Sequence, residues 1–555
     1  MNEVDAMNKS KKWTFFILLM LSILYFSLFI PPNLLGAKDI NMISAFEHDE
    51  FAQYPNVIRM LTPGETLYQT LRNFVVYLHY YYGYPFYFFS ALAILPVKLI
   101  LGSGWTEQTS TIVMVLRQLI NVLPMILSAW VMTWIVTRFS SKLKSVLCFV
   151  LLLTLPAAVT NNLWWHPDSL LTLFVVLTLF FLDKDDFRFG KYFYFSGVAA
   201  ALAIGSKILG VLFVVTYIVY LLYGFFSKKI PFKRLVLATL LQLAVVVGTV
   251  IITNPLLLLP IERGEIISVF KANLEQSTVG FWVKTEGNQS QITAIRDIFS
   301  QNYGSILLAL FSTASLVLGL FHKPVRTRSM IILAWLIGYL GYFVIFASTL
   351  REHYLLPAAI PLLAGLFLLI PAPGTIRIGR NLPAVKFDRK QLLVILLAVI
   401  VVAQVGVNAF KDAKILESAL HKEENSGSIN LFNVASEEFL AKIPADVKVK
   451  IYRDWRAYVE PRANYEITYD WSLADYDYIH TIDPDVLFIE YDNAYYFSDE
   501  SKIEQSIRPG EMTAMVEFYS DVINEHLAGY QLLVKTDFGY VFAKDEFYAR
   551  FFDME

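Results

Sequence analysis

The chain is short of cysteine and short of charge. Its single cysteine, Cys148, lies within an apolar run, which excludes disulfides and a cysteine metal site within one chain. Charged residues make up 17% of the 555 positions, and Lys plus Arg (46) balance Asp plus Glu (48). With neither a basic excess nor a basic stripe, the composition excludes a nucleic-acid partner. Internal repeats and low-complexity tracts are missing too, and the first apolar run lacks a small-residue cleavage site. What is there is hydrophobic: 56% of residues, with a mean hydropathy of +0.50. So many long apolar runs identify a polytopic α-helical membrane protein.

The first run, Trp13 to Ile30, follows Lys9, Lys11 and Lys12 and ends at Pro31-Pro32. It is expected to remain as a first helix running from inside to outside, which leaves the N-terminus cytoplasmic. The stretch Thr66 to Leu101, rich in Tyr and Phe and broken by Gly83 and Pro85, is expected at the interface or as a re-entrant pair, because aromatic belts favour the headgroup level. Spans are then expected at Thr111–Thr137, Ser145–Thr160, Ser169–Leu182, Tyr192–Gly205, Ile208–Phe226, Leu235–Asn254, Tyr303–Phe321, Ser329–Leu350, Leu355–Ile370 and Leu392–Val407. About eleven spans result, with interfacial helices besides, and the loops rich in Lys and Arg all fall inside. Those loops include Arg377, Arg380, Lys386, Arg389 and Lys390. Counting Thr66 to Leu101 as a simple span would put most of them outside.

Residues 1–410 form the membrane domain in this reading, and residues 411–555 an extracytoplasmic α/β domain. Beyond Phe410 the long apolar runs stop, and short β-like runs appear at Val447–Tyr452, Val486–Glu490, Leu532–Val534 and Tyr540–Phe542. Asp537-Phe538-Gly539 makes a turn between the last two. Glu511–Ala528 has helical spacing and stops at Gly529, a suitable residue beyond a helix end.

The candidate chemistry sits where apolar runs end. Glu47-His48-Asp49-Glu50 follows the first helix, and His166 and Asp168 lie in a second outer loop. Lys207 turns a third, and Arg351, His353 and Tyr354 a fourth. All four clusters land on the outer face. Charges at a bilayer edge are costly and usually serve a water-filled site. Carboxylates there can take a proton from an incoming hydroxyl, while cations stabilise phosphate charge. Asp49, Glu50 and Asp168 are therefore the catalytic candidates. Lys207, Arg351, His353, Tyr354, His166 and Arg59 are the binding candidates. Each has a plainer reading: Asp168 as a helix cap, Lys207 as a snorkelling boundary residue, Arg351 and His353 as interfacial anchors. The histidines with Asp49 or Asp168 leave room for a divalent cation, but their spacing matches no ligand signature, and no metal ligand is assigned. Asn288-Gln289-Ser290 matches a glycosylation sequon on the outer side.

The order of these motifs resembles the GT-C membrane glycosyltransferases, in particular the protein O-mannosyltransferase and aminoarabinose transferase superfamily. The resemblance rests on Asp49-Glu50, then Tyr84-Pro85-Phe86, then Asp168. Gly205-Ser206-Lys207-Ile208-Leu209-Gly210 and Arg351-Glu352-His353-Tyr354-Leu355-Leu356-Pro357 complete it, over about residues 13 to 410. It implies that Asp49 is the base, with Lys207, Arg351 and Tyr354 handling the phosphate of a polyprenyl-phosphate sugar. His48 stands where many members have proline, and their Pro-Pro pair is reduced to Tyr84-Pro85. The expected activity is inverting sugar transfer from that lipid donor to an acceptor hydroxyl on a protein, lipid or glycan, outside the membrane. The alternative is a transporter or flippase of a lipid-linked sugar, which should place its binding residues near the midplane. A third reading is a receptor or assembly factor in which the tail domain does the work, which would leave the boundary acids unexplained.

Overall fold

The computed structural model describes residues 3–280, 282–283, 291–347, 350–370, 389–469 and 474–553. The expected sequon at Asn288 and the basic residues Arg377, Arg380 and Lys386 lie outside the described residues. Among those described, seven helices are long and apolar enough to cross a membrane, or eight if the bent pair Gln291–Asn302 and Ile306–Gly319 counts as one. The chain is an integral, multi-pass membrane protein. Shorter apolar helices fill the bundle between these. Asp168–Asp185 packs along Lys191–Ser206 through buried Leu171, Val175, Leu179 and Ala200, Ala203.

Local chemistry explains where helices break. Lys142–Leu153 stops before Pro156, which opens the short helix Pro156–Asn161, because proline suits a first turn and not an interior. The helix from Thr109 to Thr137 carries a π-helical turn at Arg117–Val122, and such turns often re-aim side chains at functional sites.

The aromatic stretch expected at the interface is helical from Tyr84 to Leu101, after the amphipathic helix Leu67–Val75. By composition Tyr84–Glu107 also qualifies as a span. Its start is tied to the ends of the helices Lys191–Ser206 and Phe232–Thr253. Gly83 N–H donates to Ser206 O at 3.4 Å and Tyr84 N–H to Asn254 Oδ1 at 3.0 Å. At the other end Lys98 bonds the Leu61 carbonyl, and Ser110 Oγ, just beyond, donates to Ala37 O at 3.0 Å. Only glycine fits at position 83, since a Cβ there would lie 1.6 Å from the Gly205 carbonyl oxygen. The stretch is pressed against the end of the helix that leads to Lys207.

The C-terminal part is a small domain around a five-stranded mixed sheet in the order β2-β1-β3-β5-β4. The strands are β1 (Val449–Arg453), β2 (Tyr465–Thr468), β3 (Val486–Glu490), β4 (Tyr530–Lys535) and β5 (Gly539–Lys544). β1 runs parallel to β2 and β3, and the β4–β5 hairpin joins antiparallel to β3. Alternation along the strands gives the sheet two apolar faces. Leu487, Ile489 and Phe542 face the helix Pro509–Ile523, while Ile451, Phe488 and Val541 face Gly427–Glu438. β2 has no counterpart in the expected strands. The helix expected to reach Ala528 ends at Ile523; Glu525 takes a φ of +63°, and Gly529 serves the turn into β4 with φ +80°.

Candidate active site

The residues gather at one end of the bundle, and each is placed by its own element. Asp168 opens its helix but does not cap it: Pro167 is the N-cap residue and makes no side-chain cap bond. The Asp168 carboxylate is fully buried and turns to Lys207, whose Nζ donates at 2.8 and 3.1 Å to its two oxygens. Lys207 does not snorkel. Its side chain is only 13% exposed, and the ammonium lies 4.5 Å from the centre of the Tyr354 ring. That geometry adds a cation–π attraction to the ion pair.

His166 bridges the cluster. Its Nδ1 faces Asp168 Oδ2 in close contact, and its Nε2 accepts from the Tyr82 hydroxyl at 2.6 Å. Burial pushes the Tyr82 phenol well above its usual range, so it keeps its proton. Asp49 Oδ2 stands 3.7 Å from the same Nε2 and is 43% exposed. Trp164 stacks on the imidazole at 4.2 Å, and His353 meets both rings edge-on. Tyr339 Oη donates to Tyr354 O at 2.7 Å and Trp335 Nε1 to Pro357 O at 2.8 Å, fixing the last segment. Arg351 precedes it with its side chain exposed.

Two expected residues belong elsewhere. Glu50 is wholly buried beside Arg117, with Nε and Nη2 of the guanidinium at 2.7 and 2.6 Å from its oxygens. Trp165 N–H donates to it as well, at 2.5 Å. Arg117 Nη1 also holds the carbonyls of Asn33 and Leu35. Glu50 therefore clamps the first loop to the bundle. Arg59 sits at the far end of the helix His48–Leu61, bonded to the Val76 carbonyl. Three residues were not anticipated. Asn121, on the π turn, donates to Asn161 O and His166 O and accepts from His166 N–H, which shapes the loop before Asp168. Tyr82, at the Nε2 edge of His166, and Trp164, stacked on its face, are the others. An aromatic residue within two or three positions of a loop histidine was the only signal available for them.

His166, Asp168 and His353 each bring one ligand atom, all within 4.8 Å of one another. As a metal site the set fits poorly. Lys207 already holds the carboxylate and Tyr82 already holds His166 Nε2. A dication there would face the ammonium at close range. The arrangement is that of a buried salt bridge flanked by aromatic rings.

Residues 106–252 match the family described as dolichyl-phosphate-mannose-protein mannosyltransferase. No curated protein matches the chain. The crystal structure of ArnT from Cupriavidus metallidurans bound to undecaprenyl phosphate is similar over 95% of this chain and 97% of its own. The TM-score is 0.52 and the identity 13%, a likeness of fold. The apo form of that ArnT gives 0.48 at 12% identity, with the same coverage. The matched segment carries Asp168 and Lys207, and the fold match spans both the helical bundle and the sheet domain. The chain is a membrane protein with the GT-C fold of ArnT, and its segment 106–252 is similar to the protein mannosyltransferases.

Proposed function

We propose that the protein transfers a sugar from a polyprenyl-phosphate donor to an acceptor hydroxyl at the outer face of the membrane, with inversion. The observation that carries this reading is the row of Asp49, His166, Asp168 and Lys207 at one end of the bundle. It sets one exposed carboxylate beside a buried, charge-compensated cluster. Undecaprenyl phosphate, which ArnT binds, has the chemistry of the leaving group required.

In the proposed reaction the acceptor oxygen attacks the anomeric carbon as the bond to phosphate breaks. Asp49 takes the hydroxyl proton. Lys207 and Arg351 stabilise the charge that grows on the departing phosphate. An ammonium has three donors and the Asp168 carboxylate takes at most two, so Lys207 keeps one for the phosphate. Asp168 is then a positioning residue, fixing the lysine in a low-dielectric setting. In this reading the N-terminus is cytoplasmic, the sheet domain lies outside, and residues 411–555 belong to that domain.

The test is transfer of radiolabelled sugar from a panel of polyprenyl-phosphate donors by purified wild type and Asp49→Asn. Transfer that is lost in the mutant supports the reading. Donor binding without release of sugar from any donor would replace it with transport.

A further inference from the structure

The sheet domain is fastened to the short segment that carries Asp49. Arg453, at the end of β1 and fully buried, donates to Ser44 Oγ at 3.3 Å and to Asn41 Oδ1 at 3.2 Å. Both acceptors lie on the helix Ile40–Phe46. The same guanidinium holds the carbonyls of Trp455 and Ala457 at 3.0 and 3.1 Å, so it shapes its own loop as well. Ser44 Oγ donates in turn to Trp455 O at 2.6 Å, Asn41 Nδ2 to Val459 O at 3.0 Å, and Tyr458 Oη to Asp39 Oδ2 at 3.0 Å. Met42, from the same helix, is buried in the core of the sheet domain.

This fastening continues into the first turn of the next helix. Arg456 Nε–H donates to His48 Nε2 at 3.3 Å, and His48 Nδ1–H donates to Ser44 O at 2.8 Å. The Trp455 ring lies 4.6 Å from the imidazole, tilted by 41°. Burial, and then the Arg456 guanidinium, lower His48 to about 4, which leaves the ring neutral and able to accept. Glu47, the N-cap residue, makes no side-chain cap bond. The orientation of the turn therefore rests on tertiary contacts. His48 is held by the sheet domain and Glu50 by Arg117. Asp49 lies between them in sequence, its Oδ2 3.7 Å from His166 Nε2.

We infer that the Asp454–Ala457 loop of the sheet domain is a positioning element for the reaction, with Arg456 and Trp455 holding His48 so that Asp49 is aimed at the acceptor. The inference rests on the proposed sugar transfer, because aim matters only if Asp49 reacts. A base misplaced by an ångström loses on the order of a hundredfold in rate without any loss of substrate contacts. Arg456 and Trp455 thus act on turnover and leave donor binding alone.

The experiment uses the full-length protein with two readouts. In the first, Arg456→Ala and Trp455→Ala are each expected to lower kcat by about tenfold or more with the donor KM within about twofold. Arg456→Lys, which keeps a donor for His48, is expected to recover most of the rate. In the second, Asp49→Cys is labelled with a water-soluble maleimide, the native Cys148 being buried. Adding Arg456→Ala is expected to change that labelling rate by about threefold or more. Lys535→Ala, which breaks an exposed pair with Glu525 on the same domain, is expected to leave it unchanged. Labelling needs no transfer, so a response of the Asp49→Cys protein to Arg456→Ala, beside a wild type that transfers no sugar from any donor, overturns the proposed function and upholds the coupling. An unchanged labelling rate in folded Arg456→Ala overturns the inference. So does a kcat loss that Arg456→Lys fails to recover.

Discussion

Lys207 donates to both oxygens of Asp168 across 39 residues of sequence, joining the end of one buried helix to the start of another. Neither charge is solvated enough to stand alone. Removing one partner of a buried pair usually costs about 3–5 kcal/mol, since the other charge stays behind uncompensated. Lys207→Met is expected to lower the thermal midpoint and abolish transfer. Adding Asp168→Asn should restore the midpoint and leave transfer absent. Melting curves and the transfer assay on the three proteins check both halves, and recovery of activity in the double mutant would remove Lys207 from phosphate handling.

Asp49 is the exposed carboxylate of the row, and its conversion to Asn removes proton acceptance with little change of shape. A loss of about 10²- to 10⁴-fold in kcat is expected for a general base, with a normal melting curve. Activity near that of wild type would assign the proton to another group.

Glu50 should behave in the opposite manner. Bound by Arg117 and by Trp165 N–H, it is expected to contribute to folding and not to chemistry. Arg117→Met is expected to destabilise the protein by about 3–5 kcal/mol. Glu50→Gln should lose activity only in proportion to the folded fraction. A folded Glu50→Gln protein without turnover would move Glu50 back among the reacting groups.

The His48 contact carries a pH signature. His48 is lowered from 6.5 to about 4 by burial, then by Arg456, with Arg453 adding to the effect and Asp49 opposing it. A histidine lowered in the fold stabilises it fully above the unfolded value near 6.5; that contribution is lost as pH falls from there toward 4. Docking of the sheet domain, followed by protease sensitivity of the loop at Trp455, is expected to weaken over that window. His48→Gln should flatten the profile between pH 6.5 and 4, and an unchanged profile would discount this histidine.

Divalent cations should be dispensable. Because Lys207 and Tyr82 already engage Asp168 and His166, transfer is expected to survive a chelator unchanged. Loss of transfer that Mn²⁺ or Mg²⁺ restores would mean that the lysine yields the carboxylate to an ion.

The ends of apolar runs were the most legible part of the site. Asp168, Lys207 and His353 stand out because a charge at a span boundary is expensive and draws attention wherever it falls. Which of two neighbouring acids is buried was not legible. Asp49 and Glu50 differ by one step around a helix, and only the position of Arg117, 67 residues on, turns one inward. Arg59 illustrates the same difficulty along the axis, since eleven positions from His48 carry it about 16 Å along the helix. The sheet domain was readable as strands where alternation was strong, as at Val486–Glu490. β2 has only four residues and little burial, so no pattern could announce it. The grip of Arg453 and Arg456 on residues more than 400 positions away leaves no local trace at all.

The helix Arg389–Leu420 has 32 residues, about 48 Å at 1.5 Å per residue, against a hydrocarbon layer of about 30 Å. Just past its end the chain is tied to the first loop, where Glu423 accepts from Gly36 N–H at 2.5 Å. The sheet domain is thereby held twice, by the chain that leaves this helix and by the grip of Arg453 and Arg456 on Ser44 and His48.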